Sequence, residues 1–357
     1  MLIDILFFVY CILIIASCVH RTPLPVDDDY MSVEHTTNMR GIAAVGIIMH
    51  HLSERISEDN GMFFSKLPVA GYLLVTFFFF LSGYGLLIQY NKKKVTYLNG
   101  FLVKRVLYLI IVYLLDILLY LLAGIITGKT YTLWNIFKSI FISGIASNSW
   151  YMIVLIEFYL AFYCIFKCRK IEKLSDKIIA VFVFQVLYFV VLKLLDFSPM
   201  WYLSNFGFSL GMIWAYNKDE LDELLEKKYK YALLIATVLF CFFYGTPVIT
   251  DRVCSEKVAE IIRIIFRLIS SPMSVVLLVV LSFKCRPSMK LWNRLGGISL
   301  EIYLIHGLVM TLLKNSLHVQ NGFIWTVLTI IISVLIAAPV HKMNELIAKK
   351  CRSIAHN

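Results

Sequence analysis

An arginine and a histidine lie in the short apolar segment 38–52, where ionisable side chains are costly. Arg40 and His51 are eleven residues apart, so on a helix they share one face and lie about 16 Å apart along its axis. His50 points about 100° away from His51 and is not expected to share a small ligand with it. For either residue alone, a role as an anchor at the membrane interface is as well supported as a functional role. Together they favour a polar cavity in which histidine, the side chain suited to proton transfer near neutral pH, does chemistry.

Three other apolar segments also carry polar side chains. Ser82 lies in a run of aromatic and small residues, where close helix packing is favoured over catalysis. Glu157 is a carboxylate inside an apolar segment, without a partner that the sequence reveals. His306 follows Glu301 by five residues, so the two do not share a helical face, and helix packing is an alternative role for His306.

The elements that position these residues are predicted to be membrane-spanning helices. Of 357 residues, 60% are hydrophobic and only 16% are charged, whereas a soluble domain carries about 25% charged residues. The apolar runs are continuous and close to the ~20 residues of a spanning helix, while the strands of a β-barrel would alternate. The eleven predicted segments are 1–19, 38–52, 69–90, 102–126, 149–167, 178–195, 200–216, 230–245, 262–283, 297–314 and 323–341.

Lysine and arginine are distributed unevenly between the loops that join these segments. Of the 34 basic residues, 24 lie in one alternating set of loops, nine lie in the other set, and Lys193 lies within a segment. Because basic residues are enriched in cytoplasmic loops, this split predicts a cytoplasmic C-terminus and, with eleven spans, an outside N-terminus. The same clustering accounts for the net charge of +11 without a nucleic-acid partner.

Signatures of soluble enzymes and of metal sites are absent from the sequence. It contains no Walker loop, no G-x-G-x-x-G and no H-E-x-x-H, and its one G-x-S-x-G match, residues 207–211, lies inside a predicted apolar span rather than on a turn after a strand. The eight cysteines form no C-x-x-C pair, and only Cys254 falls in a predicted outside loop. We therefore predict no metal site and no external disulfide within one chain.

Four blocks of residues, taken together and in order, resemble the acyltransferase family 3 membrane enzymes. They are Arg40 with His51 after ten intervening residues, Phe79-Phe80-Leu81-Ser82-Gly83-Tyr84, Trp150-Tyr151, and Ser299-x-x-x-Tyr303-Leu304-Ile305-His306. The resemblance covers roughly residues 36–341. It implies ten core helices, cytoplasmic acyl-CoA as the donor, and O-acylation of extracytoplasmic glycans or other surface molecules. It also implies that Arg40 and His51 are tied to activity.

One feature of this sequence departs from the family pattern. The family often has Arg-x-x-Arg after the serine-glycine block, whereas here Arg105 is followed three residues later by Tyr108. We expect the neighbouring lysines to supply the missing positive charge. They are Lys92, Lys93, Lys94 and Lys104.

The resemblance divides the chain into three parts. Residues 1–35 are predicted to be an extra N-terminal span followed by an acidic linker that includes Asp27–Asp29, residues 36–341 form the acyltransferase-like membrane domain, and residues 342–357 are a basic cytoplasmic tail. The first span has no basic residues before its apolar core, so we expect it to be retained rather than cleaved as a signal. No soluble esterase-like domain follows the last span, which indicates the stand-alone form.

We therefore expect an all-α, polytopic bundle of ten core transmembrane helices plus the extra N-terminal span, in a bacterial plasma membrane. Its expected activity is transfer of an acetyl or other acyl group from acyl-CoA, with no permanently bound cofactor. His51 is expected to act as general base or as a transient acyl carrier, and Glu157 and His306 to orient His51 or the acceptor. The residues expected to bind the donor are Arg40, Lys92, Lys93, Lys94, Lys104 and Arg105.

Two other functions remain open at this point. A transporter or flippase of lipid-linked sugars would share the span count and the intramembrane charges, but it would not consume acyl-CoA. A catalytically silent membrane scaffold would tolerate substitution of Arg40 and His51. Beyond the lipid bilayer and acyl-CoA, the expected partner is a hydroxyl-bearing surface acceptor, and the sequence leaves its identity, the acyl group and the oligomeric state open.

Overall fold

The computed structural model describes residues 2–19, 29–56, 61–146 and 148–355. Within these ranges the chain forms thirteen α-helices and no β-strand. Their bounds are α1 Leu2–Cys18, α2 Val33–Ser53, α3 Gly71–Lys93, α4 Tyr108–Ile126, α5 Leu133–Ile142, α6 Trp150–Lys167, α7 Leu174–Leu194, α8 Phe206–Tyr216, α9 Lys218–Val253, α10 Glu256–Ser282, α11 Lys290–Gly297, α12 Ser299–Asn315 and α13 Gly322–Ile354. Short 3₁₀ turns cover Phe64–Val69, Lys94–Leu98 and Pro199–Trp201, and a π-helical turn, Leu102–Leu107, precedes α4.

Each of the eleven predicted apolar segments falls on a helix, and the chain is an integral membrane protein. Seven helical units of the described residues are long and apolar enough to cross a membrane, and they contain α3, α4, α6, α7, α9, α10 and α13. The pair α11 and α12, bent by 77°, makes an eighth if it counts as one span. Helix α1 has 17 residues and α8 has 11, while α2 carries too many polar residues to belong to this set. The number of ten core spans therefore stays a prediction.

Several helices extend beyond the predicted apolar segments. Helix α2 begins at Val33 because the hydroxyl of Ser32 accepts the backbone N–H of His35 and caps its first turn. Helix α9 begins at Lys218, twelve residues before the predicted segment, with Asp219 and Glu220 in its first turn. Acidic side chains favour a helix N-terminus, so a charged sequence continues the helix there instead of ending it.

Two further segments are helical where a loop or tail is predicted. The predicted outside loop at 127–148 contains α5, a short apolar helix. The predicted basic tail, 342–357, continues α13 without a break as far as Ile354. Basic residues mark the end of an apolar run but do not end a helix, because lysine and arginine have good helix propensity.

Helix α1 is attached to the bundle at both of its ends. At its start the carboxylate of Asp4 accepts the backbone N–H groups of residues 62–64, over 2.9 to 3.0 Å. At its far end the carbonyl oxygen of Ser17 accepts the backbone N–H of Ser288 at 2.9 Å. Of the linker predicted at 22–37, residues 22–28 lie outside the described residues, and residues 33–37 belong to α2 instead. The extra N-terminal helix is thus a packed part of the fold.

Helices α3 and α8 approach each other closely through glycines. A Cβ atom on Gly83 would lie 1.9 Å from the carbonyl oxygen of Phe208, and one on Gly211 would lie 2.0 Å from that of Phe80. Small residues at such contacts let helix backbones pack against one another in a membrane. For the block at 79–84, the sequence favoured a role in close helix packing. The position of Gly83 confirms this role for the glycine of the block.

Candidate active site

A cavity of about 860 Å³ lies among α2, α3, α4, α6, α9 and α12. Its lining includes Val33 at the start of α2, Lys92 in the last turn of α3, Lys218 at the start of α9 and Ser299 at the start of α12. These four helix ends all belong to the loops that carry most of the lysine and arginine residues. The cavity thus lies at the basic end of the bundle.

The cavity wall carries three basic side chains that are suited to anions. Arg40, Lys92 and Arg105 all line it. Lys218 lines it as well, but its ammonium lies 3.2 Å from Asp29 and 2.5 Å from Asp222, so its charge is compensated. Of the residues predicted to bind the donor, three are not part of the lining, namely Lys93, Lys94 and Lys104.

The wall deeper in the cavity is aromatic and carries hydroxyl groups. Ser82 of α3, Tyr151 and Tyr159 of α6, and Tyr303 of α12 line it. Tyr108 lines it beside Arg105, at the position where the family pattern often has a second arginine. All four sequence blocks of the resemblance, which are far apart in the chain, therefore contribute to one cavity.

A series of ring contacts leads from this cavity to His51. The ring of Tyr151 lies 5.0 Å from that of Tyr303, centroid to centroid, and the ring of Tyr303 lies 5.9 Å from that of His306. His306 in turn stacks on His51, with centroids 5.2 Å apart and ring planes 24° apart. His51 and His306, which the sequence singled out separately, thus meet in the structure.

His306 is completely buried, and both of its ring nitrogens are engaged. Its Nδ1 lies 3.1 Å from the carbonyl oxygen of Ile302, which can only accept, so Nδ1 carries the proton and donates. Its Nε2 then accepts a hydrogen bond from the side-chain amide of Asn148 at 2.9 Å. His306 therefore has no free lone pair for proton transfer, and its contact with His51 is through the stacked ring.

His51 differs because one of its nitrogens stays available. Its Nδ1 lies 3.2 Å from a carboxylate oxygen of Glu54, so Nδ1–H donates and the lone pair of Nε2 is free to accept a proton. A base whose ring is oriented by a third group is the usual arrangement in nucleophilic and acid–base catalysis. The sequence analysis did not single out Glu54. Its position three residues after His51 could have indicated the contact, because side chains three residues apart on a helix are neighbours.

Glu54 remains a carboxylate in this environment. It follows the last residue of α2, and its side chain is 43% exposed. Burial works to raise its pKa, but the hydrogen bond from His51 and the neighbouring His50 and Arg55 outweigh burial and lower the pKa of Glu54. An ionised Glu54 stabilises positive charge on the imidazole of His51.

His50 faces another part of the protein but also reaches Glu54. Its Nδ1–H donates to the carbonyl oxygen of Leu67 at 3.1 Å, and its Nε2 lies 3.7 Å from Glu54 Oε1. The ligand atoms of His50, His51 and Glu54 all lie within 4.8 Å of one another. The expectation that the adjacent histidines cannot share a small ligand is therefore wrong, because both side chains bend toward one carboxylate.

The other two acidic residues of the sequence analysis lie away from His51. Glu157 accepts a hydrogen bond from the hydroxyl of Tyr188 on α7 at 2.7 Å and is not part of the cavity lining. Glu301 accepts from His341 and Asn344 of α13, at 3.1 and 2.9 Å. The carboxylate that the structure places beside His51 is Glu54.

Most of the chain matches a known protein family. The model of a family described as "acyltransferase domain" matches residues 37–342. This range agrees with the interval 36–341 over which the four blocks resemble acyltransferase family 3, so that prediction is confirmed. No curated protein and no solved structure matches the chain.

Proposed function

We propose a reaction for this protein from one premise: it belongs to the acyltransferase family. The proposed reaction is transfer of an acyl group, acetyl or another short acyl, from acyl-CoA to a hydroxyl of an extracytoplasmic glycan or a related surface molecule. One observation carries the proposal. A cavity with basic walls lies at one end of α2, and packed rings of Tyr151, Tyr303 and His306 connect its wall to a histidine–carboxylate pair toward the opposite end of α2; the pair is not itself part of the lining.

The donor would bind with its phosphates at the basic end of the cavity. Arg40, Lys92 and Arg105 supply positive charge, and charge-assisted hydrogen bonds from such groups to phosphate are among the stronger polar contacts. The volume of about 860 Å³ falls within the range of pockets that hold small-molecule ligands. In CoA the phosphates and the thioester lie at opposite ends of an extended arm, which suits the ~16 Å between Arg40 and His51 along α2.

His51 would act on the acceptor hydroxyl. As the hydroxyl oxygen attacks the thioester carbonyl, Nε2 of His51 takes the hydroxyl proton, and Glu54 stabilises the imidazolium that forms. The tetrahedral intermediate then expels the CoA thiolate, which receives the proton from His51. The products are the acyl ester of the acceptor and free CoA.

The same geometry also allows a covalent route. Nε2 of His51 attacks the thioester carbonyl and the CoA thiolate leaves; the thiolate takes up the proton that the ring loses from Nδ1, and a neutral acyl-imidazole results. The acceptor hydroxyl then attacks the acyl-imidazole, and its proton compensates the one taken up by the thiolate. An acyl group on His51 after mixing with donor alone distinguishes this route from direct transfer.

The proposed topology places the two ends of the reaction on two sides of the membrane. With ten core spans plus α1, the end of the bundle with 24 basic residues faces the cytoplasm of a bacterium, where acyl-CoA is made. Arg40 then lies at the cytoplasmic edge and His51 toward the outside, where a glycan acceptor would be. The C-terminus is cytoplasmic in this arrangement.

The proposal is tested with the purified protein in lipid vesicles and with cells. Release of CoA from acetyl-CoA is measured for the wild type, His51→Ala and, as a control on the same end of the bundle, His318→Ala, an exposed residue between α12 and α13. Transfer is expected to be lost only in His51→Ala. Mass spectrometry of surface glycans from cells with and without the gene identifies the acceptor. An active His51→Ala, or a protein that moves lipid-linked sugars without consuming acyl-CoA, would overturn the proposal.

A further inference from the structure

The end of α2 presents three side chains with the chemistry of zinc ligands. The Nδ1 of His51 lies 3.2 Å from one carboxylate oxygen of Glu54, and the Nε2 of His50 lies 3.7 Å from the other. Zinc binds imidazole nitrogens and carboxylate oxygens at about 2.0–2.2 Å, which in a tetrahedral site leaves ligand atoms about 3.3 Å apart. The two histidine–carboxylate spacings are close to this value, and the three ligand atoms all lie within 4.8 Å of one another, so side-chain rotations would complete the site.

His50 is already oriented as a metal ligand. Its Nδ1–H donates to the carbonyl oxygen of Leu67, which fixes the ring and leaves the lone pair of Nε2 free. Histidines that bind metals almost always donate their other N–H to a carbonyl or a carboxylate in this way. Gly71 leaves space for the ring, because a Cβ atom there would lie 2.1 Å from Nε2 of His50.

The site is open to solvent on one side. The side chain of Glu54 is 43% exposed and that of His51 is 22% exposed, whereas that of His50 is only 11% exposed. An ion can therefore reach the group and keep a water molecule as its fourth ligand. Three protein ligands with one open position are typical of zinc sites that are not purely structural.

We propose that His50, His51 and Glu54 bind one Zn²⁺ ion at the outer end of α2. Two imidazoles and one carboxylate favour zinc over magnesium or calcium, which prefer oxygen ligands. On the basis of the proposed function, the bound ion also stops the reaction. Zinc on Nδ1 of His51 moves the ring proton to Nε2, so the lone pair that accepts the proton of the acceptor hydroxyl is lost. Zinc binding thus switches the transferase off.

Binding is tested on the purified full-length protein in detergent, with Zn²⁺ alone as the probe. Calorimetry is expected to give one ion per chain, and Co²⁺ in its place is expected to show the absorption of a tetrahedral site. His50→Ala and Glu54→Gln are each expected to weaken binding by about tenfold or more, since even loss of a supporting hydrogen bond costs about 10- to 100-fold. His318→Ala, the exposed control on the same end of the bundle, should bind like the wild type.

A substitute variant and competition with Mg²⁺ keep this test decisive. If His50→Ala is not recovered as a monodisperse protein, His50→Gln replaces it, because the glutamine amide can still donate to Leu67. Wild-type affinity in the His50 and Glu54 variants, or displacement of Zn²⁺ by an equal concentration of Mg²⁺, would overturn the site.

The consequence for activity is measured separately from binding. Release of CoA from acetyl-CoA by the wild type is expected to fall as Zn²⁺ saturates the site and to recover after a chelator is added. Binding without inhibition would overturn the switch and support the site. A metal-free protein that binds Zn²⁺ but never transfers an acyl group would count against the proposed function and leave the zinc site supported.

Discussion

At the scale of single residues, the site depends on how each histidine uses its two nitrogens. His306 engages both, with Ile302 and Asn148, and His51 engages only Nδ1. In the proposed reaction, the same side chain type therefore serves in one case as a rigid ring and in the other as a base. Glu54 is what makes His51 differ from His306. Its carboxylate holds the ring proton on Nδ1, so the lone pair of Nε2 is left free to accept a proton.

Glu54→Gln tests this role. The glutamine oxygen can still accept from Nδ1–H of His51, but the negative charge that stabilises the imidazolium is lost. We expect kcat for acyl transfer to fall by about tenfold or more, within the ~10²–10⁴-fold that a general base contributes. The KM for acyl-CoA should not change, because the donor phosphates bind at the other end of α2.

Glu157→Gln is the matched variant for this measurement. Glu157 is hydrogen-bonded to Tyr188 and lies outside the cavity lining. A larger loss of kcat in Glu157→Gln than in Glu54→Gln would restore the assignment made from the sequence. Partial activity in Glu54→Asp would agree with a role for the carboxylate charge.

At the scale of elements, the end of α3 places one lysine of a basic cluster in the cavity wall and two outside it. All three lysines at this end are exposed, but Lys92 lines the cavity, whereas Lys93 and Lys94 do not. A lysine inside the cavity can contact donor phosphates, and lysines outside it contribute to orientation in the membrane. Sequence alone treats the three as one cluster.

Lys92→Ala is expected to raise the KM for acyl-CoA by about two- to fivefold, which corresponds to the ~0.5–1 kcal/mol of a solvent-accessible ion pair. The rise should shrink as salt is added, because salt screens the contact in the wild type. The comparison is steady-state kinetics of Lys92→Ala with Lys93→Ala and Lys94→Ala. Equal effects in all three would show that the lysines act only through the overall charge.

A second prediction at this scale concerns the contact of α3 with α8. Gly83→Val would drive a side chain into the carbonyl of Phe208, and overpacking of this kind costs about 1–3 kcal/mol. We expect a lower temperature of thermal unfolding in detergent. Gly85, two residues later, has nothing within 4 Å of an added Cβ, so Gly85→Ala should unfold at or slightly above the wild-type temperature, because alanine favours a helix over glycine. Equal losses in both variants would contradict the packing argument.

At the scale of the whole molecule, the cavity and the pair of His51 and His306 lie toward opposite ends of one bundle. Helix α2 carries both Arg40 and His51, and α12 carries both Ser299 and His306, so two helices span the distance from the cavity mouth to the histidine pair. Helix α1 supports α2 from the side, through a hydrogen bond of 2.8 Å from the hydroxyl of Tyr10 to the carbonyl oxygen of Ile42. Such an arrangement fits a reaction whose donor and acceptor are on different sides of the membrane.

The orientation of the bundle is tested by cysteine labelling in a cysteine-free background. Lys66→Cys, in the exposed turn after α2, should react with a membrane-impermeant maleimide in intact cells, and Lys93→Cys should react only after lysis. The expectation rests on the distribution of 24 against nine basic residues between the two sets of loops. The opposite labelling pattern would reverse the orientation and place the donor cavity outside.

The sequence by itself determined that this is a helical membrane protein and that Arg40 and His51 lie on one face of a helix. Apolar runs and alternating basic loops are properties of neighbouring residues, so they predict membrane helices without knowledge of packing. The Arg40–His51 stripe follows from spacing along a single helix, which depends only on helix geometry. The order of the four blocks was enough to indicate the family.

Only the tertiary structure decided which side chains meet. The contact of His51 with His306, the hydrogen bond from Asn148 to His306, and the separation of Lys92 from its neighbours all depend on how helices distant in the chain pack together. Glu157 looked unpartnered because its partner, Tyr188, lies on another helix. Helical spacing gives the direction in which a side chain leaves its own helix, but its partner is set by the neighbouring helix, and that position follows from close contacts such as Gly83 against Phe208.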